Sequence, residues 1–135
     1  MSYSPVLQRK PVVIEKFVTL GATSGTVVGP AVSAGTLVLA AGIEVLSAVP
    51  DITTYTVNVT DGTTTFANAV SIDAAAKGTI RVGTTAGYVA ANDTIDAVTT
   101  ISGSPGAIPA RIFALVVDVN GAAQGADEVD RDQLA

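Results

Sequence analysis

From Ile52 to Phe66 the chain reads ITTYTVNVTDGTTTF, with Tyr55, Val57 and Val59 on one side of an alternating row and Thr54, Thr56, Asn58 and Thr60 on the other. A period of two in β-branched and aromatic residues predicts a half-buried strand, and Asp61-Gly62 followed by more threonines predicts a hairpin turn. An earlier row, VVIEKFVTL from Val12, alternates without a cleanly apolar face. It reads as a strand at a sheet edge or under a partner, where Glu15 and Lys16 oppose wrong pairing. Near the C-terminus, PARIFALVVDVN from Pro109 to Asn120 sets Ile112, Ala114 and Val116 against Phe113, Leu115 and Val117. A strand apolar on both sides belongs in the middle of a sheet, or between the body and a partner.

The segments between these rows follow a strand-and-turn rhythm. Gly21 to Gly35 is glycine-rich loop, with a short strand at Thr26 to Val28. Leu37 to Val49 places Leu39, Ile43 and Leu46 near helical spacing, but Gly35, Gly42 and Pro50 favour two short strands bent at Ala41-Gly42. Pro50-Asp51 turns the chain into the hairpin. Beyond Phe66, Val70 to Asp73 reads as a short strand and Asp73 to Lys77 as one turn of helix stopped at Gly78. Thr79 to Val82, Gly87 to Ala91 and Asp93 to Ile101 are further strands, the last with Ile95, Ala97 and Thr99 on its buried side. Ser102 to Ala107 is a turn cluster. This spacing predicts an all-β fold, an antiparallel β-sandwich or a small barrel, spanning residues 11–121. Extended arms are expected at 1–10 and 122–135, where the alternation is lost.

Composition changes this picture in two ways. The chain is 48% hydrophobic and 14% charged, with a mean hydropathy of +0.50, and 20 valines outnumber its six Phe and Tyr together. A core of small aliphatic groups is thin, and the surplus apolar surface points towards burial in an assembly. The net charge of −5 argues against binding nucleic acid through phosphates. It is also uneven: Arg9, Lys10 and Lys16 lie near the start, whereas Asp127, Glu128, Asp130 and Asp132 crowd the end. Residues 1–10 lack the apolar stretch of a signal peptide, and the run from Leu37 to Ile43 is too short to span a membrane, so a soluble protein made in a cytoplasm is expected.

Candidate chemistry is sparse. There is no His and no Cys, which removes Ser-His-Asp and cysteine-based catalysis and ordinary zinc sites. Lys10, Lys16 and Lys77 lack a Ser-x-x-Lys context. Asp93 and Asp96 have no aromatic sugar platform beside them and read as turn residues. Asp118 to Gly121, followed by Asp127 and Glu128, does not fit a calcium-loop spacing. No phosphate loop is present, and Asn58 and Asn92 match glycosylation acceptors only by chance in a threonine-rich chain. Neither an enzyme, a metal nor a cofactor is expected.

The order of GTVVGPAVSAGTLV, AGIEVLSAV, TTYTVNVTDGTTTF, DAAAKGT, YVAANDTIDAVTT and PARIFALVVDVNG, over about Gly21 to Gly121, resembles the small head decoration, or cement, proteins of tailed bacteriophages. The resemblance implies a β-sandwich, often jelly-roll-like, on the outer surface of a virion. It also implies the major capsid protein as partner, frequent homotrimers, and neither catalytic residues nor membrane contact. On this reading Arg9, Lys10 and Lys16 are expected to dock the N-terminal arm on an acidic capsid surface. Ile112, Ala114 and Val116 are the candidate capsid or subunit contact. The alternative class is a receptor- or glycan-binding β module of a phage fibre or tail, which more often carries aromatic residues for sugars than this chain does. A tail-tube or major capsid subunit is a further alternative, though major capsid proteins are usually much longer.

Overall fold

The computed structural model describes residues 10–119, and they form an antiparallel β-sandwich. The expected arms at 1–10 and 122–135 lie outside this range apart from Lys10. One sheet, here the front sheet, runs in the order β1 (Val12–Leu20), β11 (Ile108–Asp118), β4 (Thr36–Val45), and then two short strands that share the far edge of β4: β7 (Ile80–Val82) and β8 (Gly87–Val89). The back sheet runs β2 (Gly25–Val27), β10 (Asp96–Ser102), β5 (Thr54–Thr60), β6 (Thr65–Ser71). A small ribbon pairs β3 (Ala31–Val32) with β9 (Asp93–Thr94).

The pairing is nested. β5 pairs with β6, β4 with β7 and β8, β3 with β9, β2 with β10, and β1 with β11. The whole chain is thus one long hairpin folded over into two layers, and its tip is the turn after Thr60. Asp61 holds that tip: its Oδ1 accepts the N–H groups of Thr63 at 2.8 Å and Thr64 at 2.7 Å. The Thr60 hydroxyl donates to the Thr64 carbonyl at 2.8 Å, and Gly62 follows with φ of +92°, a conformation that suits a residue without Cβ. The expected Asp-Gly hairpin is therefore present, with four residues in its loop.

Alternation carries the core. Tyr55, Val57 and Val59 are fully buried on β5 and share one core with Ile95 just before β10, Ala97 on β10, and Ile43, Val45, Ile112 and Ala114 from the front sheet, with Thr99 of β10 buried as well. Glycines allow close approach where main chains touch. A Cβ on Gly83, between β7 and β8, would stand 1.9 Å from the Phe66 carbonyl oxygen, and one on Gly29 would stand 1.9 Å from that of Ile95. Gly83 thereby lets the broken edge of the front sheet close onto β6 of the back sheet.

Three local expectations are corrected. Leu37 to Val49 does not bend at Ala41-Gly42; β4 runs unbroken to Val45 because continuous β11 pairs along it, and the irregularity falls at Leu39, between the partners of Leu115 and Val116. Gly42 serves close packing instead, since a Cβ there would meet the Arg81 carbonyl at 2.3 Å. Asp73 to Lys77 is a turn and not a helix. Five residues are too few to repay helix nucleation, and the segment is tied elsewhere: Asp73 Oδ1 accepts from Ile52 N at 2.8 Å, and Val49 N donates to the Ala75 carbonyl at 2.8 Å. Finally, the strand expected at Val70 begins at Thr65, directly after the turn.

The Tyr55 hydroxyl is buried with no hydrogen-bond partner, a desolvation cost of about 1–3 kcal/mol. The same burial raises the phenol's pKa above 10.0. Below about pH 10 the phenol is neutral in both folded and unfolded chains, so it adds no pH dependence. Above that, the unfolded chain ionises first and stability falls. Tyr55→Phe is expected to leave the fold intact, to unfold no more easily than the parent and up to about 1–3 kcal/mol less easily at pH 7, and to flatten the alkaline loss of stability. Chemical denaturation at pH 7 and pH 11 measures both.

Candidate assembly interface

The two layers present unlike outer faces. On the back sheet the outward residues are the Thr54, Thr56, Asn58 and Thr60 row with Asp96, Val98, Thr100 and Ser102 of β10 across from it, a largely polar surface suited to water. On the front sheet the outward rows are Val13, Glu15, Phe17 and Thr19 on β1; Arg111, Phe113, Leu115 and Val117 on β11; and Leu37, Ala40, Gly42 and Glu44 on β4. Ile80, Val82 and Tyr88 complete the face at its far edge. Phe17 is 64% exposed, Val13 58%, Tyr88 53%, Val82 49% and Ile80 48%. Contiguous apolar surface of this extent on one side of a small domain marks an interaction site.

A single ionic group crosses the face. Arg111 donates through Nη1 to Glu15 Oε1 and through Nε to Glu44 Oε1, each at 2.9 Å, so that one guanidinium ties β1, β11 and β4 together. Its Cζ also lies 4.6 Å from the centroid of the Phe113 ring, within cation–π range. Partial burial pulls the Arg111 pKa down, but the hydrogen bonds and charges of Glu44 and Glu15 outweigh it and the net shift is upward. Pairs as exposed as these contribute at most about 1 kcal/mol each. The group's importance is its sign: two carboxylates and one guanidinium leave the face with a net charge of −1.

The residues expected to make contacts divide sharply. Arg9 lies outside the described residues. Lys10 is exposed just before β1, and Lys16 is exposed on β1 opposite Ile112. Ile112 and Ala114 are fully buried and Val116 is nearly so. These three fill the core between the sheets, and the accessible row of the same strand is Phe113, Leu115 and Val117. The sequence shows both rows of β11 but not which one faces inward; that follows from the placement of β10 and β5 beneath it. Phe17, Ile80, Val82 and Tyr88 come from three separate segments, so only the folded sheet brings them into one patch.

The candidate chemical groups are engaged in turns. Asp93 Oδ1 accepts from Thr94 N at 2.8 Å, and Asp96 Oδ1 accepts from the Thr94 hydroxyl at 2.7 Å and from Gly29 N at 3.3 Å. Asn92 Oδ1 accepts from Ala34 N at 2.9 Å, and Asn58 Oδ1 from Ala69 N at 2.6 Å. A shallow cleft of about 150 Å³ is lined by Asp61, Tyr88 and Asp93, among others. Among the described residues, no three carboxylates gather where they could hold a metal ion.

Compared with known proteins, the sequence matches no family model and no curated protein. Its fold is similar to that of solved chains. A chain of the cyanophage Pam1 capsid asymmetric unit aligns with a TM-score of 0.61 over 82% of this chain and 86% of that one, at 13% identity. A chain from the acidic stable capsid structure of the Helicobacter pylori bacteriophage KHP30 aligns with a TM-score of 0.51 over 80% and 93%, at 15% identity. At such identities the likeness is one of fold.

If the front face is surface rather than core, its exposed members contribute little to the stability of the isolated chain. Phe17→Ser is expected to change unfolding free energy by no more than about 0.5 kcal/mol while lowering the binding of a fluorescent apolar dye. A fluorescence titration beside a denaturation curve reads both effects.

Proposed function

We propose that this chain is a structural protein of a bacteriophage particle. It decorates the outside of the capsid and stabilises the shell by bridging major capsid subunits. The observation that carries this reading is the likeness of fold, over about four-fifths of the chain, to chains in two phage capsids. The nested strand order supports it further, since a long hairpin rolled into two four-place sheets is the arrangement of a jelly roll, which recurs in viral capsid domains.

The apolar front face gives the reading a physical basis. A decorating protein acts by adding many modest contacts over a repeating lattice, and whatever binds the assembled shell but not its separated parts stabilises the shell by mass action. Such a role needs no catalytic group, and the chain is read as a non-enzyme. A homotrimer is the expected state, because β11 is apolar on both sides and only one side is used in the fold. Lys10 and Lys16 suit an acidic capsid surface beside the front sheet.

Shells of the source virus stripped of this chain provide the test. The purified chain is expected to co-sediment with them at a fixed ratio and to raise the temperature at which they break open. It is also expected to sediment alone as a trimer at micromolar concentration. A chain that stays monomeric, fails to bind shells and leaves their rupture temperature unchanged would overturn the proposal.

A further inference from the structure

The two main sheets have four edges, and three of them are blunted. β2 is three residues long; β7 and β8 are three residues each and offset from one another. β6 is irregular in register, with Ala69 at φ of 49°, and it is covered where Thr85 N donates to the Phe66 carbonyl at 3.3 Å and Gly83 abuts it. The fourth edge is β1, nine residues long and, among the described residues, paired in one continuous register with β11 alone. A long, regular edge guarded only by Glu15 and Lys16 is a template for a strand that matches those charges.

Which groups that edge offers can be worked out. Leu46 N donates to the Pro109 carbonyl at 2.9 Å, so the main-chain groups of Pro109 point towards the β4 side. Directions alternate along a strand, so Ile108, Ala110, Ile112, Ala114 and Val116 turn towards β1. Their partners there are Leu20, Val18, Lys16, Ile14 and Val12. The N–H and C=O groups of Val13, Glu15, Phe17 and Thr19 therefore point outward from the sheet, and these are also the residues whose side chains lie on the apolar front face.

We infer that β1 is a docking strand, which takes an extended segment of a capsid protein as an added strand of the front sheet. This inference rests on the capsid reading above and names the surface that serves it. Side chains fix the chemistry of the incoming segment. Across from Glu15, on a face already carrying a net charge of −1, it presents a basic residue; across from Lys16 it presents an acidic one; across from Val13 and Phe17 it presents apolar groups. A second β1 meets these demands poorly. A closed twofold pair keeps like faces together, so the fullest overlap sets Lys16 against Lys16; one step towards the N-terminus sets Glu15 against Glu15, and one step towards the C-terminus sets Phe17 against Phe17 but leaves Glu15 opposite Thr19 and Lys16 opposite Val18, with neither charge matched. Like charges directly opposite are unfavourable, whereas strand addition by a different chain satisfies both backbone and charge.

Proline substitution at an outward N–H removes a donor from the edge without touching the bonds to β11. Val13→Pro is expected to remain folded and to bind stripped shells about tenfold more weakly, the worth of one hydrogen bond, while Val13→Thr, which keeps the N–H and loses only apolar contact, binds more tightly than Val13→Pro. Folded Val13→Pro that binds as tightly as the parent overturns the inference. Hydrogen exchange on the parent chain decides the matter even if the proline variant does not fold. The amides of Val13, Glu15, Phe17 and Thr19 should exchange freely in the isolated chain and become protected on shells. Exchange that stays fast on shells, or protection already present in the chain alone through self-pairing, contradicts the inference. A parent chain that does not bind shells at all contradicts the capsid reading itself.

Discussion

The fold depends on one closure, the turn at which the chain doubles back on itself. Because strands pair in nested order from β5 and β6 outward to β1 and β11, every wider pair brings together residues farther apart in sequence, and each is favoured once the pair inside it has formed. Asp61 is the residue that holds the first closure, since its carboxylate accepts two main-chain N–H groups of the loop. The last closure, β1 on β11, links residues about a hundred positions apart, such as Val12 and Val116. It has the largest loop to close and ends on the open edge of the front sheet.

A second constraint follows from β11. Its inward row is consumed by the core, and its outward row of Phe113, Leu115 and Val117 has no layer above it among the described residues. The core is filled by small aliphatic side chains, and at Gly83 the broken edge of the front sheet meets the main chain of β6. Apolar surface that such a core cannot absorb is displayed on one face. Arg111 crosses that face and joins three strands through Glu15 and Glu44.

Much of this was legible from residue order. The alternation of Tyr55, Val57 and Val59 identified a core strand, and Asp61-Gly62 identified the turn, because both depend on local geometry. The position of β1 at an edge was readable from its unclean faces and from Glu15 and Lys16. Other features were hidden because they depend on what lies across the sheet. Ile112, Ala114 and Val116 look like their neighbours Phe113, Leu115 and Val117 in any strand pattern, and only the second sheet decides which row is buried. Asp73 to Lys77 has good helix-forming residues, yet hydrogen bonds from Ile52 and Val49 hold its flanks as a turn. The apolar patch formed by Phe17, Ile80, Val82 and Tyr88 exists only after nesting brings their strands into one sheet.

The proposed role requires one orientation: the largely polar back sheet towards water and the apolar front sheet, with β1 at its rim, towards protein. Electron cryomicroscopy of particles from the source virus addresses this most directly. The proposed role predicts density for this chain at symmetric positions on the outer shell, with Phe17, Val82 and Phe113 buried and an added strand beside β1. Particles in which the front sheet faces solvent, or in which the chain has no place on the shell, would contradict it.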